Sequence, residues 1–303
     1  MRPPCSFFRV ISAYTMLAIN GSIYPDKKQQ EKGWRKMVVY SLAAVLGAAV
    51  ILVFIMWRQA YQNRVLQQTL YFPDFPESFG EMKIFFISDI HRRTIADRII
   101  NFTIGKADIV IIGGDLREGG ISLKQVEENI SKLKKIGPLY FVWGNNDYEG
   151  DYHALDAMLL EKGVKILDNT AVSFESSEGD RLSLMGVDDM SDNRAKLTMA
   201  VEDSEQVFRI LVSHNPEIRH YLKEEQSIKL VLAGHTHGGQ IRIFGYGPYK
   251  AGGIEKQGDT LLLTSNGYGT SGVPLRLGAK PETHLLILKK GDSRPPNLKV
   301  HTL

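Results

Sequence analysis

Two pairs of polar residues with the same spacing follow apolar runs in this chain. Asp89 and His91 follow the run KIFFIS, and His235 and His237 follow LVLAG. On an extended chain, side chains two positions apart point to the same face. Carboxylate and imidazole groups held together on one face are ligands for borderline divalent metals such as Mn²⁺, Zn²⁺ or Fe²⁺. Metal binding is therefore the first chemistry that the sequence indicates.

Three more candidate ligands follow apolar runs of their own. Asp115 follows IVIIGG, Asn145 follows LYFVWG, and His214 follows RILVS. Seven ligands are too many for one four-coordinate ion, and they suit two ions with a carboxylate shared between them. Glycine permits the sharp turns and close backbone approach that such a centre needs. The glycines to which we assign this role are Gly113, Gly114, Gly144, Gly234, Gly238 and Gly239.

The apolar runs alternate with helical patterns, over 122–136 and 152–162 for example, which predicts an α/β layered domain. Later runs at 240–244, 259–264 and 284–289 follow one another closely and predict a mixed sheet. In such domains, ligands bind beyond the carboxyl ends of the strands, where the seven polar residues lie.

The composition is that of an ordinary globular protein, with 303 residues, 43% hydrophobic and 23% charged. A net charge of +3 gives no indication of nucleic-acid binding. The single cysteine, Cys5, excludes an intrachain disulfide and a cysteine-based metal site.

An uncharged run of twenty residues, VVYSLAAVLGAAVILVFIMW, occupies 38–57. A helix of that length crosses the hydrocarbon core of a bilayer, about 30 Å thick. Trp34 and Trp57 flank it, as interfacial aromatic residues do. A buried core helix and a cleaved signal are the alternatives, but the run has no polar face and RQAYQNRV is a poor cleavage site. We interpret the run as a retained membrane anchor.

Flanking charges predict the orientation of this anchor. Residues 1–36 carry seven Lys or Arg against two acidic residues, a balance of +5 that leaves −2 for the rest of the chain. The positive-inside rule then places the amino terminus in the cytoplasm and residues 58–303 outside the cell membrane. A true start at Met37 is an alternative that removes this basic flank.

Four regions follow from these patterns. They are a basic segment (1–36), a transmembrane helix (37–57), a linker (58–80) whose first part, 58–70, continues the helix, and an α/β domain (81–303) that carries the candidate ligands.

The ordered motifs D-x-H, GGD, GNxD, SH and GHTH resemble those of the calcineurin-like metallophosphoesterases, over about 82–289. The stretches GHTHGGQIRIFG and GYGTSGVPLRLGAKPETHLL resemble a membrane-associated branch with YkuE- and YaeI-type phosphoesterases, some linked to UDP-2,3-diacylglucosamine pyrophosphate cleavage. The resemblance implies a four-layer α/β/β/α sandwich and two divalent metal ions. It assigns Asp89, His91 and His237 to the first ion, Asp115 to the bridge, and Asn145, His214 and His235 to the second ion.

The chain departs from the family at Asn146, which replaces the histidine that usually follows GN and assists the leaving group. General-acid help of that kind is worth roughly 10²–10⁴-fold. One reading is a preference for leaving groups that need no proton, such as a phosphate of a pyrophosphate bond or an aryl oxide. The other is that His153 or Arg92 substitutes. We assign catalytic roles to Asn146, Asp115 and Arg92.

Two further features near the motifs have alternative readings. Arg92 and Arg93 directly follow the D-x-H motif and either contact substrate phosphate or form a solvated pair. Asp147 either orients the Asn145–Asn146 turn or caps it. The segment 267–280, which contains Arg276, is expected to shape the substrate pocket or a neighbouring loop.

The function that we predict is membrane-anchored hydrolysis of phosphodiester or pyrophosphate bonds. The expected partners are the bilayer and a phosphorylated small-molecule or lipid-linked substrate, with no nucleic acid and no obligate protein partner. Two alternatives stay open: a non-catalytic membrane protein that binds a phosphorylated ligand, and a soluble nucleotide phosphodiesterase if 38–57 is no anchor.

Overall fold

The structure, a computed structural model, describes residues 27–292 and 294–303. The chain divides into two units, Met1–Phe54 and Ile55–Leu303. The first 26 residues of the predicted basic segment lie outside the described residues.

The apolar run belongs to one long helix, α1, which spans Lys27–Ala60. The helix therefore begins ten residues before the predicted segment 37–57 and includes its charged flank. Apolar side chains along it, such as Leu42 and Val45, are exposed. By length and composition, α1 can cross a membrane. The helix also ends at Ala60, so it does not continue through 70 as expected.

The strands of the second unit form two mixed sheets among the described residues. The first sheet has the order β13-β1-β12-β2-β3-β4-β5, and the second has the order β10-β11-β9-β8-β7-β6. The strands are β1 (Arg64–Phe72), β2 (Glu81–Ile87), β3 (Ile109–Gly113), β4 (Leu139–Val142), β5 (Lys165–Ile166), β6 (Thr170–Glu175), β7 (Arg181–Gly186), β8 (Phe208–Val212), β9 (Ile228–Ala233), β10 (Gly253–Gln257), β11 (Thr260–Thr264), β12 (Thr283–Lys290) and β13 (Asn297–Thr302).

Three apolar clusters hold the layers together. Phe86 of β2 and Leu232 of β9 belong to a cluster between the two sheets. The opposite face of the first sheet packs on three helices, and Val231 lies in a cluster where the second sheet packs on one helix. These helices are α2 (Asp97–Thr103), α3 (Leu123–Leu133), α4 (Tyr152–Glu161) and α5 (Leu197–Glu202). The four-layer α/β/β/α sandwich is confirmed, and so are helices within 122–136 and 152–162.

The predicted linker 58–80 is wrong, because much of it is a strand inside the first sheet. β1 pairs in parallel with β12 and antiparallel with β13. Its sequence contains Gln67 and Gln68, which conceal the apolar alternation of a buried strand. Gln68 is nevertheless buried, and its side-chain oxygen lies 2.9 Å from Nδ1 of His284. The folded domain therefore begins near Arg64 and not at 81.

The late strands at 259–264 and 284–289 are confirmed as β11 and β12, but 240–244 forms no strand. Ile241 and Ile243 make only isolated bridges. Phe244 has a φ of 52°, which turns the chain back instead of extending it.

Candidate metal centre

Five strand ends bring their polar residues together at one edge of the sandwich. His91 from the loop after β2 and His237 from the loop after β9 face each other, with 3.0 Å between their Nε2 atoms. Nδ1 of His235 lies 3.1 Å from Nε2 of His214, which follows β8. The pair of His91 and His237 thus joins the two sheets. In the other pair, His214 and His235 both follow strands of the second sheet. Convergence of these residues agrees with the prediction from their positions at strand ends.

Asp115, at the end of β3, lies between the two histidine pairs. Its Oδ2 atom is 3.6 Å from Nε2 of His91 and 3.3 Å from Nε2 of His214. Its Oδ1 atom accepts a hydrogen bond of 2.8 Å from the backbone N–H of Asn146. One carboxylate oxygen is thus held by the backbone and the other is directed between the imidazoles.

Within 27–292 and 294–303, two groups of three side chains have ligand atoms close enough to share a cation. The first is Asp89, His91 and His237, and the second is Asp89, Asp115 and His214. The first group reproduces the predicted first set. The second combines the predicted bridge and His214 with Asp89, while His235 lies beside His214.

Unpartnered polar atoms in the centre fit a divalent cation. Oδ2 of Asp89 and Oδ1 of Asn145 are buried and accept no hydrogen bond. The amide nitrogen of Asn145 donates to Oδ1 of Asn146 over 3.1 Å, which leaves the oxygen of Asn145 directed elsewhere. Buried acceptors without a donor are costly in a folded protein, and a bound cation satisfies them.

The backbone at the ligands is strained. Asp89, His91, Asp115, His235 and His237 all have φ between 50° and 70°. Residues other than glycine seldom adopt this left-handed conformation, and where they do, they cluster at functional sites. Five of the seven predicted ligands share it, so the loops are shaped by the position of the ligands and not by local preference.

Two of the predicted glycines are required by close approach. A Cβ atom on Gly144 would lie 2.3 Å from both the nitrogen and Oδ1 of Asp115. A Cβ atom on Gly234 would lie 2.4 Å from Oδ2 of Asp89. Any side chain at either position displaces a carboxylate of the centre.

The electrostatics of the centre favour a positive charge between its carboxylates. Burial lowers the pKa of His214, but the neighbouring Asp115 carboxylate outweighs burial and raises that pKa to about 10. Burial raises the pKa of Asp115, yet His214 and His91 together hold it below its usual value. Burial, His91 and Arg276 lower the pKa of His237 well below its usual value, so this imidazole is neutral and able to bind a metal.

The residues around this centre match the family model described as calcineurin-like phosphoesterase, over 82–239. The chain belongs to the calcineurin-like phosphoesterase family. YpbG of Bacillus subtilis is 47% identical over 212 residues, which cover 68% of this chain and 81% of YpbG. A protein of Danio rerio named transmembrane protein with metallophosphoesterase domain is 27% identical over 274 residues, 82% of this chain and 63% of its own length. The phosphodiesterase YaeI of Escherichia coli is 27% identical over 233 residues, 71% of this chain and 84% of YaeI.

Membership of this family makes the chain a metal-dependent phosphoric ester hydrolase. The centre opens into a cavity of about 320 Å³. Its lining combines predicted ligands with residues of neighbouring loops, namely Asp115, Asn145, Asn146, His235, Thr236, His237, Gly239, Gln240, Pro248, Tyr249 and Ser271. A larger groove of about 460 Å³ lies around Ile228 and Thr260 and contains none of the predicted ligands.

Asn146 of this phosphoesterase lies at the cavity, as predicted. Its amide nitrogen donates to Oε1 of Glu149 over 2.7 Å, and its amide oxygen accepts from Asn145. Asp147 is buried and accepts backbone N–H groups of Gly144 and Arg117 over 2.9 and 3.1 Å, so it both orients and caps the turn. Burial raises the pKa of Asp147 to about 7. His153 is exposed on α4, its ring is tilted against that of Tyr152, and it does not line the cavity.

Glu118 is a residue of the phosphoesterase centre that sequence reasoning missed. It is buried, and its Oε2 atom lies 3.2 Å from Nδ1 of His91. A carboxylate beside Nδ1 would hold the ring so that Nε2 is available to a bound metal. The sequence feature that points to Glu118 is its position three residues after Asp115, in the same loop.

The side chains of the neighbouring residues Arg92 and Arg93 make different contacts in the structure. The guanidinium of Arg92 is exposed, pairs with Glu118 and lies outside the cavity lining. Its predicted contact with substrate phosphate stays a prediction. Arg93 is half-buried and donates to the carbonyls of Tyr61 and Gln62, both over 2.9 Å. A phosphate contact by Arg93 is therefore wrong, because its guanidinium holds the chain just after α1.

Arg276 also escaped prediction as part of the centre. It is fully buried, and Nη2 lies 3.0 Å from Nδ1 of His237. Nη2 also donates to the carbonyls of Asn266 and Gly269, each over 2.7 Å. The expectation that 267–280 shapes a neighbouring loop thus takes a definite form: the guanidinium of Arg276 joins that loop to the backbone carbonyl of His237 over 3.3 Å.

Proposed function

We propose that this phosphoesterase is anchored in the membrane by α1 and uses two divalent ions to hydrolyse phosphodiester or pyrophosphate bonds. In this proposal, the carboxylate of Asp115 binds both ions. The observation that supports the paired ions is the position of Oδ2 of Asp115, 3.6 Å from one histidine of the first pair and 3.3 Å from one of the second. A single carboxylate between two imidazole pairs is suited to bridging.

In this proposal, Asp89, His91 and His237 hold the first ion, and Asn145, His214 and His235 hold the second. Bound divalent ions supply an acidified water and neutralise phosphoryl charge. The protein's own contribution is positioning. Glu118 orients His91, and the carbonyl of Gly113, 2.9 Å from Nδ1 of His214, orients that ring in the same way. Mn²⁺, Zn²⁺ and Fe²⁺ all suit this ligand set.

The residue at 146 favours substrates whose leaving group needs no proton. An asparagine amide can donate a hydrogen bond to a phosphoryl oxygen, but it cannot release a proton at neutral pH. No titratable side chain other than the predicted ligands is among the described residues that line the cavity, apart from Tyr249. Pyrophosphate and aryl ester bonds therefore suit this centre better than alkyl esters.

The anchor brings the centre to a membrane surface, which favours lipid-linked or envelope phosphates, including nucleotide-linked lipids of the UDP-2,3-diacylglucosamine type. The names of the Danio rerio relative and of YaeI support a membrane-associated phosphodiesterase. We further propose a single pass with the amino terminus in the cytoplasm and the catalytic domain outside. We expect neither nucleic acid nor an obligate protein partner to be needed.

A substrate panel tests this proposal. The full chain in detergent is assayed on bis-p-nitrophenyl phosphate, an alkyl diester and a pyrophosphate, with Mn²⁺, Zn²⁺ and Fe²⁺ added in turn. We expect turnover of the aryl and pyrophosphate substrates and two bound ions per chain by elemental analysis. The Asp115→Asn variant should lose both this turnover and the two bound ions. Because Asn146 also suits a non-catalytic phosphate binder, tight binding of phosphate with bound metal but no turnover would replace our proposal with that alternative.

A further inference from the structure

A hairpin turn beside the metal cavity carries apolar side chains that nothing in the described chain covers. Ile243 and Tyr246 exchange two backbone hydrogen bonds of 2.9 Å, and Phe244 and Gly245 form the turn between them. Phe244 is 96% exposed and Tyr246 is 83% exposed. Isolated exposed apolar residues are ordinary, but a group of large ones marks a contact surface.

The turn is held in a defined shape. The two turn residues have φ of 52° and 85°, the geometry of a tight hairpin, and Phe244 adopts it although it is not glycine. The guanidinium of Arg242 donates to the carbonyls of Gly238, Tyr249 and Gly245 and so braces both ends of the turn. An apolar tip that is braced from behind is presented outward and is not a loose loop.

The same turn is connected to both the cavity and the end of α1. Gln240 lines the cavity and accepts a hydrogen bond from the backbone of Leu277 over 3.0 Å. The backbone N–H of Arg276 donates to the carbonyl of Met56 over 3.1 Å, and that of Gly278 donates to the side chain of Gln59 over 2.8 Å. The segment 276–278 therefore holds the last turns of α1 on one side and the hairpin on the other.

This position indicates what covers the turn. The apolar run of α1 ends at Trp57, an interfacial residue type, so Met56 and Gln59 mark the level at which the chain leaves the bilayer. We propose that an apolar ridge, defined as Ile243, Phe244, Tyr246 and Val273, inserts into the bilayer interface at that level. The cavity then takes phosphoesters from the lipid headgroup layer. This inference rests on the proposed anchoring and deepens the proposed substrate class.

The membrane suits this ridge better than a protein partner does. Aromatic side chains with one polar end, such as that of Tyr246, are favoured at headgroup depth. Val273 is also exposed, and its carbonyl accepts from the side chain of Gln240 over 3.2 Å, which places its backbone beside the segment that leads into the turn. The ridge is thus continuous with a helix end that already meets the proposed bilayer surface.

Depth-dependent labelling tests the insertion. The full chain, with Cys5→Ser, receives a cysteine at Phe244→Cys or at Leu160→Cys, the latter an exposed apolar control on α4. Each variant is labelled with a polarity-sensitive fluorophore and reconstituted into vesicles of phosphatidylcholine and phosphatidylglycerol. We expect a blue shift and quenching by brominated lipid at 244 and neither at 160. An aqueous spectrum at 244, as a protein-docking surface would give, or equal quenching at both positions overturns the proposal.

Turnover gives a second and separable readout. Phe244→Asp combined with Tyr246→Asp is compared with Leu160→Asp on two substrates: phosphatidyl-p-nitrophenol in vesicles and bis-p-nitrophenyl phosphate in solution. We expect a roughly tenfold loss on the lipid substrate and unchanged turnover in solution, since the apolar contacts that are lost involve only the bilayer. Unchanged turnover of the lipid substrate, or an equal loss on both, overturns the insertion. If the unaltered chain hydrolyses neither substrate, the proposed function fails, and the labelling experiment still decides the insertion.

Discussion

Nη2 of Arg276 lies 3.0 Å from Nδ1 of His237, and both side chains are buried. A guanidinium has no lone pair to offer and remains charged, so it disfavours a second positive charge on the imidazole. Burial itself lowers the pKa of Arg276 to about 10, which still leaves the group charged at neutral pH. Arg276 therefore disfavours a charged His237 ring without binding metal itself, and its Nη1 donates to the backbone carbonyl of His237 over 3.3 Å, which positions the residue.

We expect Arg276→Lys to weaken metal binding by roughly 10–100-fold, the usual effect of losing a residue that orients a metal ligand. Lysine retains the charge but cannot reach the carbonyls of Asn266 and Gly269 together with His237. Metal affinity measured by competition with a chelator, alongside circular dichroism, checks this. Arg219→Lys is the control, because the Arg219 guanidinium pairs with Glu217 and lies beside His220 at the surface. A folded Arg276→Lys protein with the affinity of the control would contradict the role.

Glu118 acts on the other histidine of the first pair. Glu118→Gln keeps the shape of the side chain and removes the charge that faces Nδ1 of His91. We expect a roughly tenfold lower metal affinity and a matching loss of turnover at limiting metal, recovered at saturating metal. Glu128→Gln, on the exposed face of α3, is the matched control. Turnover that stays low at saturating metal with normal affinity would assign Glu118 a different role.

Local signals explain how much of the centre the sequence predicts. Each of the seven predicted ligands follows an apolar run, and the carboxyl end of a strand is a local feature. Neither Arg276 nor Glu118 follows an apolar run. Glu118 is marked only by its place three residues after Asp115, and Arg276 is 39 residues from His237 in the chain, so tertiary packing sets its partner. Their chemistry is visible only after the loops are folded together.

In the fold, too, a long-range partner decides what the sequence does not predict. Gln67 and Gln68 interrupt the apolar pattern of β1, and the partner that permits burial of Gln68 is His284, 216 residues away. At 240–244 the apolar residues are typical of a strand and predict one that does not form. The chain turns outward at Phe244 and leaves the core.

Proton release should accompany metal binding. Because the pKa of His214 is raised to about 10, the metal-free centre carries an imidazolium there below that pH. A metal needs the neutral ring, so affinity should rise by about tenfold per pH unit between pH 6.5 and 9. The stability of the metal-free protein should show the opposite trend, since a raised histidine pKa stabilises the fold below about pH 6.5 and that contribution is lost toward pH 10.

Calorimetric titration with Mn²⁺ in buffers of different ionisation enthalpy measures the released protons directly. His220→Asn serves as the control, because His220 is exposed and its ring faces Glu217 at the surface. We expect the unaltered protein and the His220→Asn control each to release about one proton per occupied centre at pH 7.5. A pH-independent affinity with no proton release would show that His214 is already neutral without metal.

The leaving-group preference is tested at Asn146, which lines the cavity and whose amide is held by Glu149. Asn146→His introduces a group that can carry a proton at neutral pH, and it should raise turnover of an alkyl phosphodiester by roughly 10²-fold. Turnover of bis-p-nitrophenyl phosphate should change little, because an aryl oxide leaves without a proton. The gain should also decline above about pH 7, as the histidine loses its proton.

Asn146→Ala separates proton donation from simple loss of the amide, since alanine should slow both substrates alike. If Asn146→His leaves the ratio of alkyl to aryl turnover unchanged while metal content is normal, the absent proton donor does not determine which phosphoesters this chain prefers.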